Sequence, residues 1–437
     1  MRYLIVVPDG AADRPGGPFG ERTALELADM PRTDDLARRG KVGDVQTIPF
    51  GIKPGSDAAN LAVIGYDPAK DLTGRSPLEA VSMGIDMADT DVSFRANLVT
   101  LTARDGGAPS LDIPFEELVI TDHAAGDISS EDGRRLIEYV DETIGSSDPA
   151  NEGRARFYPG ISYRHAFIVK DGAPTESGIG DVVNESPGYD LTPPHDVLDR
   201  PIGPNLPSDE GTEFILNMMK RSFALLTDHP VNAARRAAGA HTADAVWIWG
   251  QGRRPELATI TEKYGVKGTV VAAVDLIKGI GLCAGLDAPE VKGATGTLDT
   301  DFGAKARAAI DAYEGGDDFV FIHVEAPDEC SHQGDAEGKV RSLSLIDAEV
   351  IAPVADWLEA NRGKTGEEYR ILVVPDHRTP LSIRTHSSEP VPFVFYDSAD
   401  QGDDATHAFT ERSGRAGVRF SSGAKLADRF FGGGIQD

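Results

Sequence analysis

Three apolar runs in this chain stop at acidic or imidazole side chains, and that recurrence restricts the possible folds more than any other feature. Ile371 to Val374 is a short β-branched run suited to a buried strand. Pro375 closes it by withdrawing a backbone donor, and Asp376, His377 and then His386 follow in one loop. The opening run YLIVV passes in the same way into Pro8-Asp9-Gly10, and Phe319 to Val324 passes into Glu325-Ala326-Pro327 and then Asp328 and His332. Open α/β sheets gather their ligands beyond the carboxyl ends of the strands, so these residues mark a candidate site on a largely parallel sheet. Asp328 and His332 stand four apart, which places both on one face of a helical turn where they can reach one cation. The Asp376 loop alone offers a carboxylate and two imidazoles, a set suited to zinc or manganese. Taken singly, it reads equally well as a turn capped by an aspartate with solvated histidines.

The chain has 437 residues, too many for one typical core, so two domains are expected. No run of eighteen apolar residues is present and the N-terminal stretch lacks the pattern of a signal peptide, so the expectation is a cytoplasmic protein with no membrane partner. Two cysteines, Cys283 and Cys330, do not suggest a disulfide framework. A formal net charge of −28 argues against nucleic acid or an anionic membrane as partner, because binding a phosphate polymer requires basic surface. An acidic protein that handles an anionic substrate must concentrate positive charge locally, through metal ions or a few arginines.

Along the chain, Ala24 to Arg39 has helical spacing with Gly40 as a stop, and VGDVQTIPF reads as a short strand. In GIKPGSDAANLAVIGYDP, Pro54-Gly55 forces a turn before Ser56, which then falls at or near the N-terminus of a helix. A serine there is an ordinary cap, or a nucleophile whose developing charge meets helix N–H groups and a metal. From Asp91 the pattern changes. FRANLVTL reads as a strand, SSEDGRRLIEYVDETI as a helix opened by Ser129 or Ser130, and ARFYPGISYRHAFIVK as a strand pair. The Pro-rich stretch Glu185 to Pro207 and a helix from Glu213 to Leu226 follow. This predicts an inserted, smaller α+β domain at 91–226 within an α/β domain formed by 1–90 and 227–437. The insert carries Arg95, Asp122, His123, Arg164, His165 and His195, a set suited to carboxylate or phosphate recognition. Each of those histidines, taken singly, also reads as structural.

After His229-Pro230 the α/β rhythm returns, with a helix through Asn232 to Ala238 and the strand ADAVWIWGQG. Gly279, Gly281 and Ala284 have the spacing of a dinucleotide fingerprint, but Ala273 to Lys278 before them reads as helix, not strand. Gly363-Lys364-Thr365 lacks the first glycine and the strand of a phosphate loop. Val340 to Ala360 has helical spacing, Val394 to Tyr396 reads as a strand and Gly423 to Phe431 as a terminal helix.

Asp9, Ser56, Asp328, His332, Asp376, His377 and His386 all fall just beyond an expected strand or in an adjoining loop. Three carboxylates, three imidazoles and a hydroxyl suit two divalent ions that clamp a phosphoryl group and lower the serine pKa. A serine–histidine hydrolase is the main metal-free reading, and Gly55-Ser56-Asp57-Ala58 lacks its G-x-S-x-G elbow.

The motifs VVPDGAADRP, PGSDAANLAVIGYDP, GRSPLEA, FRANLVTL, YRH, TPPHD, WIWGQG, KGATG, HVEAPDECSHQGD and PDHRTPLSIRTHSSEPVPF span nearly the whole chain. On these residues it resembles the archaeal-type cofactor-independent phosphoglycerate mutases of the alkaline phosphatase superfamily. The resemblance implies an alkaline phosphatase-like α/β/α sandwich with the inserted α+β domain binding substrate. It implies Ser56 as a phosphorylated nucleophile, with Asp9, Asp376 and His377 beside it on one metal and Asp328, His332 and His386 on a second. The ions implied are manganese or zinc, with magnesium or cobalt as further options, and no 2,3-bisphosphoglycerate is required. The implied reaction interconverts 3-phosphoglycerate and 2-phosphoglycerate through phosphoserine, in glycolysis and gluconeogenesis. A metal-dependent phosphatase, or a homoserine kinase-like phosphotransferase acting on another small phosphoester, is the first alternative. A non-catalytic metal-binding protein is the second. The sequence leaves the oligomeric state open.

Overall fold

The computed structural model describes residues 1–171, 191–208, 212–400, 402 and 408–432, so the beginning of the Pro-rich stretch, 185–190, lies outside the described residues. The chain forms two compact units, one of Met1–Leu72 with Glu256–Asp437 and one of Thr73–Pro255. The second unit begins earlier and ends later than the 91–226 span expected from the sequence. The reason is packing on its long strand Val92–Thr102. Ala245–Arg253 pairs with that strand, and the helix Ser76–Ser82 is tied to it by Ser76 Oγ, which donates to the Ser93 carbonyl at 2.9 Å.

The first unit is built on a seven-stranded sheet in the order Val418–Phe420, Lys41–Val45, Val391–Asp397, Tyr369–Val373, Arg2–Pro8, Phe319–Val324, Gly268–Val271. Neighbours are parallel except around Val391–Asp397, which runs against both of its partners. The central strands are apolar on both faces, as strands covered by helices on each side must be. Leu4, Val6, Val320, Ile322, Ile371 and Val373 share one core with Phe302, Tyr313, Leu343, Val354 and Leu358 from the helical segments on that face. Tyr3, Phe319 and Phe395 point the other way and meet Phe430 and Phe431 of the last helix, Gly423–Gly432, with ring centroids 5.1 to 5.9 Å apart. The architecture is an α/β/α sandwich. Each fully buried aliphatic side chain stabilises it by about 1.5–3 kcal/mol.

Two elements differ from the sequence reading. The helix expected over 24–39 is split into Ala24–Leu27 and Pro31–Arg39, because Pro31 cannot donate inside a helix but is well suited to the first position of a new one. The helix read over 340–360 instead runs from Ala336–Leu345 through a wide π turn, Ile346–Ile351, into Ala352–Thr365. That turn presents the buried Asp347 carboxylate to the helix starting at Pro31. Asp347 accepts from Arg32 N at 3.0 Å, Thr33 N at 2.7 Å and Thr33 Oγ1 at 2.5 Å, supplying the cap that Met30 cannot. The fingerprint-like glycines lie inside a helix, Asp275–Cys283, where a Cβ on Gly281 would sit 2.3 Å from Val270 Cγ1. Close helix–strand packing therefore accounts for that glycine.

In the second unit Val92–Thr102 pairs antiparallel with Val119–Asp122, Arg164–Val169 and Ala245–Arg253, and Ala155–Tyr158 continues the sheet beyond Arg164–Val169. The helices Ser130–Ile144 and Glu213–Leu226 share a core with the sheet through Leu136, Ile137, Val140, Met218 and Phe223. Ser129 caps the first of these helices, accepting from Asp132 N at 3.1 Å.

Candidate metal centre and polar face

Arg2–Pro8 lies between Phe319–Val324 and Tyr369–Val373, all three parallel, so their carboxyl ends open on one side of the sheet. Asp9 directly follows the first, His323 is the penultimate residue of the second, and Asp376 and His377 follow the third by a few residues. The helix Ala326–Gln333 begins at the same edge and carries Asp328 and His332 on one face, with His332 Nε2 3.1 Å from Asp328 Oδ2. His386 returns in the loop after His377 and brings its Nε2 to 2.9 Å from His332 Nε2. Ser56 is the first residue of the helix Ser56–Ile64, with Gly55 in the capping position, and its hydroxyl lies 3.1 Å from His377 Nε2. The fold thus brings together all seven residues that the sequence singled out for this site.

Two groups of side chains have converging ligand atoms, Asp9 with His323 and Asp376, and Asp328 with His377 and His386. His377 faces both groups, with Nε2 3.5 Å from Asp9 Oδ1 and 3.4 Å from Asp376 Oδ2. The sequence reading missed His323, which hides within the apolar run FVFIHV. Its signal was a polar side chain inside a buried strand, one residue before the strand's end. His323 is 1% exposed and its Nε2 lies 3.1 Å from Asp9 Oδ2, yet too poorly aligned for a hydrogen bond. Asn60 was missed as well. It lies one helical turn beyond Ser56, and its Nδ2 donates to the Ser56 carbonyl and to Asp376 Oδ2, each at 2.9 Å. Backbone N–H groups of Gly10 and His377 hold the other oxygen of Asp376 at 3.1 and 2.8 Å.

The electrostatics favour a cation. Burial, and then the charges of Asp376, Asp328 and Glu325, push the Asp9 carboxyl well above the ordinary carboxylate range. Asp328 goes the opposite way. Burial opposes its ionisation, but hydrogen bonds from His332 and His386 hold it well below that range, and the bond to Asp328 raises His332 to about 9. Burial lowers His377, which favours the neutral imidazole that a metal ligand must be. Asp9 Oδ1 is buried with no hydrogen-bond partner among the described residues, an orphaned anionic oxygen of the kind a metal ion satisfies. Carboxylate and imidazole donors of this kind suit zinc or manganese.

In the second unit four of the six expected substrate residues fall on one chain of ring and cation contacts. Arg164 lies over the Tyr163 ring at 5.3 Å, Tyr163 meets His123 at 5.9 Å, His123 meets His195 at 6.1 Å and His195 meets Trp249 at 5.6 Å. Arg95 then lies over Trp249 at 4.6 Å. Trp249 and Tyr163 were not singled out in the sequence, since aromatic residues in strands read first as core. The Arg95 fork is occupied by Glu79, with both bonds at 2.8 Å. Asp122 is held in a turn, accepting from Ala124 N at 2.7 Å and Gly126 N at 2.9 Å. His165 does not join this face. It is buried against Gly133 of the helix Ser130–Ile144, its Nδ1 accepts from Gly160 N at 3.0 Å, and burial lowers its pKa to about 3.

Residues 37–232 match the family model described as 2,3-bisphosphoglycerate-independent phosphoglycerate mutase. The protein of that name from Methanosarcina barkeri is 42% identical over 420 residues, 95% of this chain and 96% of its own. Among solved structures, a protein from Pyrococcus horikoshii matches with TM-score 0.77 at 25% identity, covering 100% of this chain and 98% of that one. The cofactor-independent phosphoglycerate mutase of Thermoplasma acidophilum matches the fold with TM-score 0.59 at 24% identity, covering 98% of each chain. Among the described residues no helix is long and apolar enough to cross a membrane. With near full-length identity of this order standing beside a serine, three aspartates and four imidazoles gathered at parallel strand ends, the chain belongs to the 2,3-bisphosphoglycerate-independent phosphoglycerate mutases.

Proposed function

We propose that this enzyme interconverts 3-phosphoglycerate and 2-phosphoglycerate through a phosphoserine at Ser56, with divalent ions held by Asp9, Asp376, His377, Asp328, His332 and His386, as a step of glycolysis and gluconeogenesis. The observation that carries the reading is the Ser56 hydroxyl at a helix N-terminus, 3.1 Å from His377 Nε2, in a chain so similar to named mutases. Ions bound there would supply Lewis acidity, lowering the serine pKa and balancing charge on the phosphoryl oxygens.

Ser56 Oγ loses its proton and forms a bond to phosphorus as the bond to one glycerate oxygen breaks, and that oxygen takes up a proton. In the second half the other glycerate hydroxyl loses its proton and forms the new bond as the phosphoserine bond breaks and Ser56 Oγ takes a proton back. The helix N-terminus favours negative charge on the group transferred. Asn60 and two backbone N–H groups fix Asp376 beside the serine, so little rearrangement is required on reaction. Arg164, His123, His195 and Trp249 are proposed to retain glycerate between the two halves. Without retention, water would take the phosphoryl group and the same chemistry would be that of a phosphatase.

Ser56→Ala tests this reading. The variant is expected to fold and to abolish turnover of 3-phosphoglycerate, followed by phosphorus NMR. Wild-type enzyme quenched during turnover is expected to carry one phosphate adduct on the peptide containing Ser56. A folded alanine variant with near wild-type turnover overturns the phosphoserine route, and free phosphate as the sole product overturns the mutase reading in favour of a phosphatase.

A further inference from the structure

The imidazoles of His332, His386 and His377 all turn Nε2 toward the centre and lay Nδ1 against an oxygen. For His332 that oxygen is the Arg384 carbonyl at 3.0 Å, and for His386 the Pro54 carbonyl at 3.4 Å. A carbonyl only accepts, so in each case Nδ1 carries a ring proton. His377 is different. Its Nδ1 lies 3.2 Å from the Thr379 hydroxyl, which can donate or accept. If the hydroxyl donated to that nitrogen, a neutral ring would carry its proton on Nε2, against Ser56 Oγ and the oxygens of Asp9 and Asp376.

A threonine hydroxyl has a single proton, and here Asp328 Oδ1 takes it. The other oxygen of that carboxylate faces His332 Nε2 at 3.1 Å and His386 Nε2 at 3.6 Å, surroundings suited to an ionised, purely accepting group. With its proton directed to Asp328, the hydroxyl can meet His377 Nδ1 only as an acceptor. We propose that Thr379 is a positioning residue that fixes the His377 proton on Nδ1 and so leaves Nε2 free toward the metal centre beside Ser56. The inference rests on the reading of Ser56 and His377 as phosphoryl-transfer residues and adds the group that sets their protonation geometry.

The surroundings hold Thr379 to one position. It is fully buried, its N–H donates to the Ala12 carbonyl at 3.2 Å, and its own carbonyl accepts from Lys339 Nζ at 2.9 Å. Lys339 is itself buried and lies 3.3 Å from Asp13 Oδ2. Gly10 makes the threonine–aspartate contact possible. Its φ is +59°, and a Cβ there would lie 2.6 Å from Thr379 Oγ1 and 2.8 Å from Asp328 Cβ. A hydroxyl so confined cannot turn away, so its single proton fixes the direction of both bonds.

The test compares Thr379→Val, which keeps the shape and removes the hydroxyl, with Thr379→Ser, which keeps the hydroxyl. Ring nitrogen NMR of the full-length chain, zinc-loaded and after chelation, reports which His377 nitrogen carries the proton, the signal being assigned by its loss in His377→Asn. The expected result is Nδ1–H in wild type and in Thr379→Ser, and loss of that form in chelated Thr379→Val. Turnover number is expected to fall about 10- to 100-fold in the valine variant with KM little changed, and to recover in the serine variant. Nε2–H in the wild type overturns the proposal without any variant. So does Nδ1–H that persists unchanged in chelated Thr379→Val, an unchanged turnover number in that variant, or a serine variant that restores neither readout. If the chain shows no mutase turnover, the functional reading fails alone, because the ring spectra need no substrate.

Discussion

The strand-end site of the first unit and the polar face of the second are built on opposite plans. In the first, Asp9, Asp376, His377 and Thr379 are buried, and the last three are held by several fixed bonds each. Asp376 alone accepts from two backbone N–H groups and Asn60. In the second, Arg164 and His195 are exposed, His123 and Trp249 are half-buried, and they meet through ring and cation contacts. Groups that meet developing charge gain from being preorganised in a dry site, since they do not reorganise during reaction. Groups that bind and release a small anion gain from remaining accessible to it. The comparison predicts different kinetic signatures: damage to the first region should remove turnover, and damage to the second should weaken binding.

The largest expected effect is on metal content and turnover. Exhaustive chelation should abolish activity and added manganese should restore it, while Asp9→Asn and Asp328→Asn should each lower bound metal by one equivalent in elemental analysis. Full activity after chelation would erase the distinction drawn for the first region. A smaller effect is expected from Arg164→Ala, which removes an exposed guanidinium: KM should rise about tenfold or more with little change in kcat. If kcat falls while KM stays constant, Arg164 acts during chemistry and the division of labour fails.

The smallest effect concerns stability, and it separates His165 from the recognition face. Burial lowers this imidazole from 6.5 to about 3, so the fold holds it neutral. Because the folded pKa is the lower one, its neutral form is accommodated without penalty above pH 6.5, and stability is lost as pH falls from 6.5 toward 3. Relative to His165→Leu, wild type should lose on the order of 2 to 3 kcal/mol between pH 6.5 and pH 4 in denaturant titrations. A difference between the two proteins that does not vary with pH would show that His165 takes up its proton in the fold as readily as in the unfolded chain.

The gap between sequence and structure is greatest where a residue depends on partners distant along the chain. The runs YLIVV, FVFIHV and ILVV already carried the period and branching of buried strands, and the aspartates beyond them stood out because a charge so close to such a run requires a partner. The split at Pro31 is legible in the sequence, since a proline in the middle of a helix costs a hydrogen bond and favours starting a new helix instead. His323 and Asn60 were harder to see. Both sit within otherwise regular elements, and only their neighbours in space, Asp9 and Asp376, distinguish them from core residues.

The sequence by itself determined which segments become buried strands, that their ends carry carboxylates and imidazoles, and that Asp328 and His332 share a helical face, because these follow from local period and spacing. Only the tertiary structure decided that Arg2–Pro8 lies between Phe319–Val324 and Tyr369–Val373, so that side chains more than three hundred residues apart meet within hydrogen-bond distance. It also decided that Arg164 and His165, adjacent in the chain, point to opposite faces of one sheet and that Thr379 lies between Asp328 and His377. Strand order and the direction of a hydroxyl proton depend on contacts between distant segments, and these exist only once the core has closed.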